Sequence, residues 1–218
     1  MDKKQYISYN PYFIYPFLLW VVAGGLALMN FSKSTLFFAF NSHYSAITDV
    51  IMYYITWLGQ AEVIIPALFL LMVIPRLRNW WYFAITICCN AIPFLIQHFI
   101  KTTLNYPRPL LLFKDMPNMH YLKDWPFLLH SSFPSGHSQG AFSFFCFLSL
   151  LLPAKYRVYG CIFFILALSV AYSRMYLAAH FFEDVYAGSI LGTILTTLIF
   201  SVMNYYRALS LKKKDTFI

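Results

Sequence analysis

The sequence predicts an all-α membrane protein: a bundle of six transmembrane helices with an interfacial helix between the first two. Three observations predict it. The chain of 218 residues is 60% hydrophobic, 21% aromatic and only 11% charged, whereas a water-soluble domain carries about a quarter charged residues. Six apolar segments reach or approach the ~20 residues that a helix needs to cross the hydrocarbon of a bilayer. The Lys and Arg residues fall between these segments, singly or in short clusters. No basic face or stripe forms, so the net charge of +8 argues for membrane topology and against nucleic acid.

The first span covers residues 12–30. Lys3 and Lys4 precede it as they would a secretory signal, but the run from Phe13 to Asn30 is long for one and lacks a small-residue cleavage site, so a retained span is expected. Residues 45–60 are apolar and aromatic yet contain Asp49, which fits an interfacial helix with Tyr53, Tyr54 and Trp57 at headgroup depth. The second span, 61–75, is short, and Pro66 and Pro75 blur its limits. Spans at 79–100, 137–153, 157–173 and 184–205 complete the set. Irregular backbone is costly in lipid and nothing alternates like a membrane strand, so all six are expected to be helical. One domain, 1–218, contains them. Cys88, Cys89, Cys146 and Cys161 lie inside apolar stretches without metal-site or disulfide spacing, and read as small apolar residues.

Cytoplasmic connections are enriched in Lys and Arg. With six spans, Lys3, Lys4, Arg76, Arg78, Lys155, Arg157, Arg207 and Lys212 to Lys214 share one side, and Lys33, Lys101, Arg108, Lys114, Lys123 and Arg174 the other. Both termini are therefore expected in the cytoplasm, and the small six-span layout points to a bacterial cytoplasmic membrane.

The polar residues of the outer connections form a pattern. Lys101 is followed by Arg108-Pro109, then by Pro134-Ser135-Gly136-His137 before the fourth span. Ser173-Arg174, His180 and Asp184 occupy the next outer connection. Three fixed cations, Lys101, Arg108 and Arg174, suit a doubly charged tetrahedral anion, because guanidinium forks match phosphate oxygens and an ammonium adds a point charge. Ser135 and Gly136 add a hydroxyl and backbone N–H groups at a helix N-terminus. His180 and Asp184, four apart, share a helix face. A carboxylate there keeps one imidazole nitrogen protonated and leaves the other as an attacking lone pair, which makes His180 the candidate nucleophile. His137 is then the candidate general acid and base. Phosphoryl transfer needs mainly positioning and charge stabilisation, which this set supplies without a metal or other cofactor.

Each piece has a plainer use. Lys101 and Arg108 alone would serve as snorkelling cations, Pro-Ser-Gly as a turn, and His180 with Asp184 as a structural hydrogen bond. Their joint occurrence, in order and on one membrane face, carries the chemical reading.

Lys101-x6-Arg108-Pro109, Pro134-Ser135-Gly136-His137 and Ser173-Arg174-x5-His180-x3-Asp184 resemble the complete three-part signature of the type 2 phosphatidic acid phosphatase superfamily. The motifs cover residues 101–184, and the six-helix layout extends the resemblance over most of the chain. It implies that His180 is the nucleophile, Asp184 its partner and His137 the acid and base. Lys101, Arg108, Ser135, Gly136 and Arg174 would bind phosphate. It further implies dephosphorylation of a membrane lipid entering from the bilayer, with undecaprenyl diphosphate, phosphatidylglycerol phosphate, phosphatidic acid and lipid A as candidates. A phosphotransferase passing the phosphohistidine to a second lipid or sugar needs the same residues. Outside the signature, Gly188 and Gly192 form a small-xxx-small pair expected to pack another helix. The stretch 110–132, with Lys114, His120, Lys123, Trp125 and His130, is a loop for reading a headgroup or covering the site. Glu183 has no assigned role, and His98 is expected to be a hydrogen-bonded interior residue.

Overall fold

The computed structural model describes residues 9–122, 126 and 128–216, with backbone alone for 212–216. Lys3, Lys4, Lys123, Trp125 and the side chains of Lys212 to Lys214 lie outside the described residues. Among those described, the regular structure is entirely helical: α1 (Pro11–Asn30), α2 (Lys33–Asn41), α3 (Ala46–Ile55), α4 (Ala61–Leu71), α5 (Trp80–Leu104), α6 (Pro109–Phe113), α7 (Gly136–Leu151), α8 (Gly160–Tyr176) and α9 (Phe182–Thr216). Short 3-10 turns at Thr56–Gly59 and Ala154–Tyr159 lead into α4 and α8.

Four stretches are long and apolar enough to cross a membrane: Pro11–Asn30, Trp80–Phe113, Ala154–Tyr176 and Phe182–Leu211. A fifth arises if Ala46–Gly59 and Ala61–Leu71, bent by 54°, count as one broken span. The expected second span at 61–75 ends sooner, at Leu71, because the chain turns before Pro75. At 11 residues and 1.5 Å per residue it is about 17 Å long, short of the ~30 Å hydrocarbon. The segment expected as an interfacial helix forms the other arm of this bent pair and packs inward at Thr56 and Gly59, both buried. The surface is that of a membrane protein: Leu19, Phe69, Trp80 and Phe99 are among many exposed large apolar side chains.

At the centre stands α7, 16 residues long and about 24 Å from end to end. Ala141, Phe142, Cys146 and Phe147 on it are fully buried. Its closest neighbour is α9, where the Gly188 and Gly192 pair meets α7 backbone directly. A Cβ on Gly188 would come 2.6 Å from the Ser135 carbonyl oxygen, and one on Gly192 would come 2.5 Å from that of Gln139. Glycine is needed at both positions for this approach. Asp184, one turn above Gly188, is thereby brought beside the start of α7, where its carbonyl accepts from Ser135 N at 3.0 Å. On the other flank α1 is tied to α9 by hydrogen bonds from Trp20 Nε1 to Ser189 Oγ and from the Tyr186 hydroxyl to the Val21 carbonyl, both 2.8 Å.

All four cysteines are free thiols, Cys89 and Cys146 buried and the other two half-buried. His98 departs from expectation. The phase of α5 turns Cys89, Pro93 and Gln97 inward, so His98 lies exposed and stacks on Phe94.

Candidate active site

Three chain segments meet at one end of the bundle. Lys101 occupies the last turn of α5, which Asn105 closes in a left-handed conformation with φ 44°, a conformation asparagine tolerates better than most residues. Arg108 follows and caps α6. Its guanidinium is nearly fully buried and fixed by the backbone of the returning loop: Nε donates to the His130 carbonyl at 2.8 Å, and Nη2 to that of Ser131 at 3.3 Å. Nη1 donates to the Ala179 carbonyl at 2.9 Å and lies 3.5 Å from His180 Nε2.

The second segment begins α7. Ser135 is its N-cap, with Oγ accepting from Ser138 N at 3.4 Å and from Ser138 Oγ at 3.0 Å. That use of the lone pairs leaves the Ser135 hydroxyl proton as a donor. Gly136 is the first helical residue. A Cβ there would meet only the Gln97 amide, at 3.4 Å, so packing alone does not demand glycine. Gln97 holds the turn by donating to the Pro134 carbonyl at 2.9 Å. His137 is half-buried, and its Nε2 is a buried atom with no hydrogen-bond partner among the described residues.

The third segment runs from α8 into α9. Arg174, 2% exposed, donates from Nη1 to Thr56 Oγ1 at 2.6 Å. Its own carbonyl accepts from Ala179 N at 3.0 Å and His180 N at 3.2 Å. The tight turn this creates puts Ala178 at φ 54°, a left-handed conformation costing a residue with a Cβ about 1 kcal/mol or more. It brings His180 back over the end of α8. His180 Nδ1 lies 3.4 Å from Asp184 Oδ2. That carboxylate also accepts from the Ser132 hydroxyl at 2.5 Å and from Phe181 N at 2.9 Å, while Ser132 Oγ is 3.5 Å from His180 Nδ1.

This network assigns the ring proton to Nδ1 and leaves Nε2 facing Arg108. Burial, and then the charges of Arg108, Arg174 and Lys101, hold the His180 pKa well below the ordinary 6.5. The ring is therefore neutral at neutral pH, the form that offers a lone pair. Lys101, Arg108 and Arg174 lie within electrostatic reach of both His180 and His137, which places these side chains around one locus. All eight residues singled out from the sequence fall here.

Three contributors were not singled out. Ser132 bridges the histidine and carboxylate, and its only sequence signal is a polar Ser131-Ser132 pair just before the Pro-Ser-Gly-His motif. Thr56 holds Arg174 across 118 residues, and nothing local marks it. Gly59 supports the site from behind: a Cβ there would come 2.7 Å from the His137 carbonyl oxygen.

The chain resembles known proteins in sequence and in fold. Residues 78–208 match the model of the PAP2 superfamily. Among solved structures, LpxE of Aquifex aeolicus is 26% identical with a TM-score of 0.66, covering 79% of this chain and 98% of its own. The first transmembrane PAP2 type phosphatidylglycerolphosphate phosphatase from Bacillus subtilis is 22% identical with a TM-score of 0.67, covering 89% of this chain and 97% of its own, a likeness of fold. No curated protein sequence matches. A family model covering more than half the chain, an all-helical fold with membrane-spanning helices and a shared architecture with LpxE lead to one conclusion: the chain belongs to the PAP2 superfamily and is a multi-pass membrane phosphatase.

Proposed function

We propose that the protein dephosphorylates a membrane lipid phosphate or diphosphate through a phosphohistidine on His180. One observation carries the reading: a buried, neutral His180 whose Nδ1 faces Asp184 and Ser132, and whose Nε2 faces Arg108. In the first step Nε2 attacks phosphorus in line, forming the P–N bond as the P–O bond to the lipid breaks. Lys101, Arg108 and Arg174 balance the charge on the three equatorial oxygens, with the Ser135 hydroxyl and the Gly136 N–H as further donors. His137 in its protonated form gives its proton to the departing lipid oxygen. In the second step neutral His137 removes a proton from water, whose oxygen attacks phosphorus and breaks the P–N bond, releasing orthophosphate.

The cations do the work for which other phosphatases use a metal, so turnover is expected without one. The reading includes a six-pass bundle in which the bent pair is the second pass and α7 the fourth, with both termini cytoplasmic and the site on the outer face of a bacterial inner membrane. A substrate headgroup would then stay in water while its chains remain in lipid.

The test is orthophosphate release by purified protein in detergent from undecaprenyl diphosphate, phosphatidylglycerol phosphate, phosphatidic acid and lipid A, in excess chelator. Release from at least one lipid is expected. Activity that vanishes in chelator and returns with added metal would overturn the metal-independent mechanism, and labelled phosphate appearing in a second lipid would identify a phosphotransferase.

A further inference from the structure

Away from the reacting groups, one loop residue is gripped by three helices. Asn41, fully buried at the end of α2, donates from Nδ2 to the His120 carbonyl at 2.9 Å and to the Tyr176 carbonyl at 2.8 Å. Its Oδ1 accepts from His120 N at 2.9 Å. The His120 side chain is held as well. Its Nε2 lies 2.8 Å from Asp49 Oδ1 on α3, and the same oxygen accepts from the Tyr176 hydroxyl at 2.5 Å. The imidazole stacks on Tyr44 at 4.0 Å with the planes 5° apart, and meets the Tyr176 ring edge-on at 5.4 Å.

Apolar packing alone would dock this loop, since Phe113 and Tyr121 pack with Phe37 and Phe181. Packing of that kind tolerates sliding. The two-way amide pairing of Asn41 with His120 does not, because a slip of one residue breaks both bonds and leaves a buried amide unsatisfied. The polar contacts therefore fix register. What they hold together is informative. His120 lies twelve residues after Arg108 in the connection between α5 and α7, and Tyr176 lies four residues before His180. The Arg108 branch and the His180 branch are pinned to each other here, and they meet again where Arg108 Nη1 approaches His180 Nε2 at 3.5 Å.

We infer that Asn41, Asp49, His120 and Tyr176 form a positioning clamp that sets Arg108 against the nucleophile. The clamp touches no reacting atom. The inference rests on His180 being the nucleophile, and it accounts for a carboxylate, a histidine and a buried amide that the catalytic mechanism does not use.

The experiment is a double-variant cycle on kcat and KM. His120→Ala and Asp49→Asn are each expected to lower kcat about tenfold, with KM changed by no more than about twofold, since a small displacement of an oriented group far from the chemistry is enough for that. Tyr176→Phe, which keeps the ring and loses one hydroxyl, is expected to lose less. The discriminating background is Arg108→Lys. If the clamp acts by aiming the guanidinium, His120→Ala costs less than about twofold there, a coupling that independent sites do not show. An equal loss in both backgrounds, or wild-type kcat in folded His120→Ala enzyme, overturns the clamp. Turnover by His180→Ala would instead remove the nucleophile assignment, so the two failures are distinguishable.

Discussion

The two halves of the site differ in how much the protein has settled in advance. Around His180 nearly every polar atom is committed: Arg108 makes three hydrogen bonds to backbone carbonyls, and Asp184 accepts from Ser132 and Phe181. His180, Arg108, Arg174 and Ser132 are all buried. His137 itself is half-buried, and its buried Nε2 has no hydrogen-bond partner among the described residues. The difference fits the proposed chemistry. A nucleophile and an anion cradle gain from rigidity, because their geometry must already suit the transition state. A group that gives a proton to one partner and takes it from another must meet both the lipid oxygen and water, so it cannot be saturated by protein.

Removing each histidine separates the halves. His180→Ala is expected to lower kcat by about 10⁴-fold or more, as loss of a covalent nucleophile does, on every substrate. His137→Ala is expected to cost about 10²–10⁴-fold on a lipid substrate, the usual contribution of general acid–base catalysis. With p-nitrophenyl phosphate, whose leaving group needs little protonation, that loss should shrink while the His180→Ala loss stays. Steady-state rates with the two substrates decide it, and equal rescue of both variants would erase the division of labour.

Ser132→Ala probes the rigid half more gently. It leaves Asp184 with the Phe181 N–H but removes the hydroxyl shared with His180. A loss of about tenfold in kcat is expected, the scale of a hydrogen bond to a charged group, with KM unchanged. The same half should show its electrostatics directly. Since burial and three cations lower the His180 pKa well below 6.5, its ring carbons in the NMR spectrum should not titrate between about pH 6 and 8, a range in which an unperturbed histidine does. A titration near the ordinary value would mean that the imidazole is more exposed than the fold implies.

The committed half was also the more legible in the sequence, within limits. Arg174, His180 and Asp184 lie in one short run, so their spacing along a turn and a helix start already puts them together. Lys101 and Arg108 join because spans of fixed length return the chain to the same face. Ser132 and Thr56 were not visible, because each matters through a contact made across 48 or 118 residues and neither is unusual where it stands. The membrane layout was legible in outline: the ends of α1 and α5 lie close to expectation, whereas α4 stops before Pro75. The bend between Ala46–Gly59 and α4 was hidden because composition reports how apolar a segment is and not where its axis turns. His98 shows a further limit, since one residue's side of a helix depends on a phase that hydropathy alone fixes poorly.

The central claim is that phosphate passes through His180. Rapid quenching of the enzyme with ³²P-labelled lipid substrate, followed by digestion and mass spectrometry, tests it most directly. An acid-labile, base-stable label on the peptide containing His180, formed and lost as fast as turnover, is the predicted result. A burst of product with no labelled histidine, or label on any other residue, would contradict it.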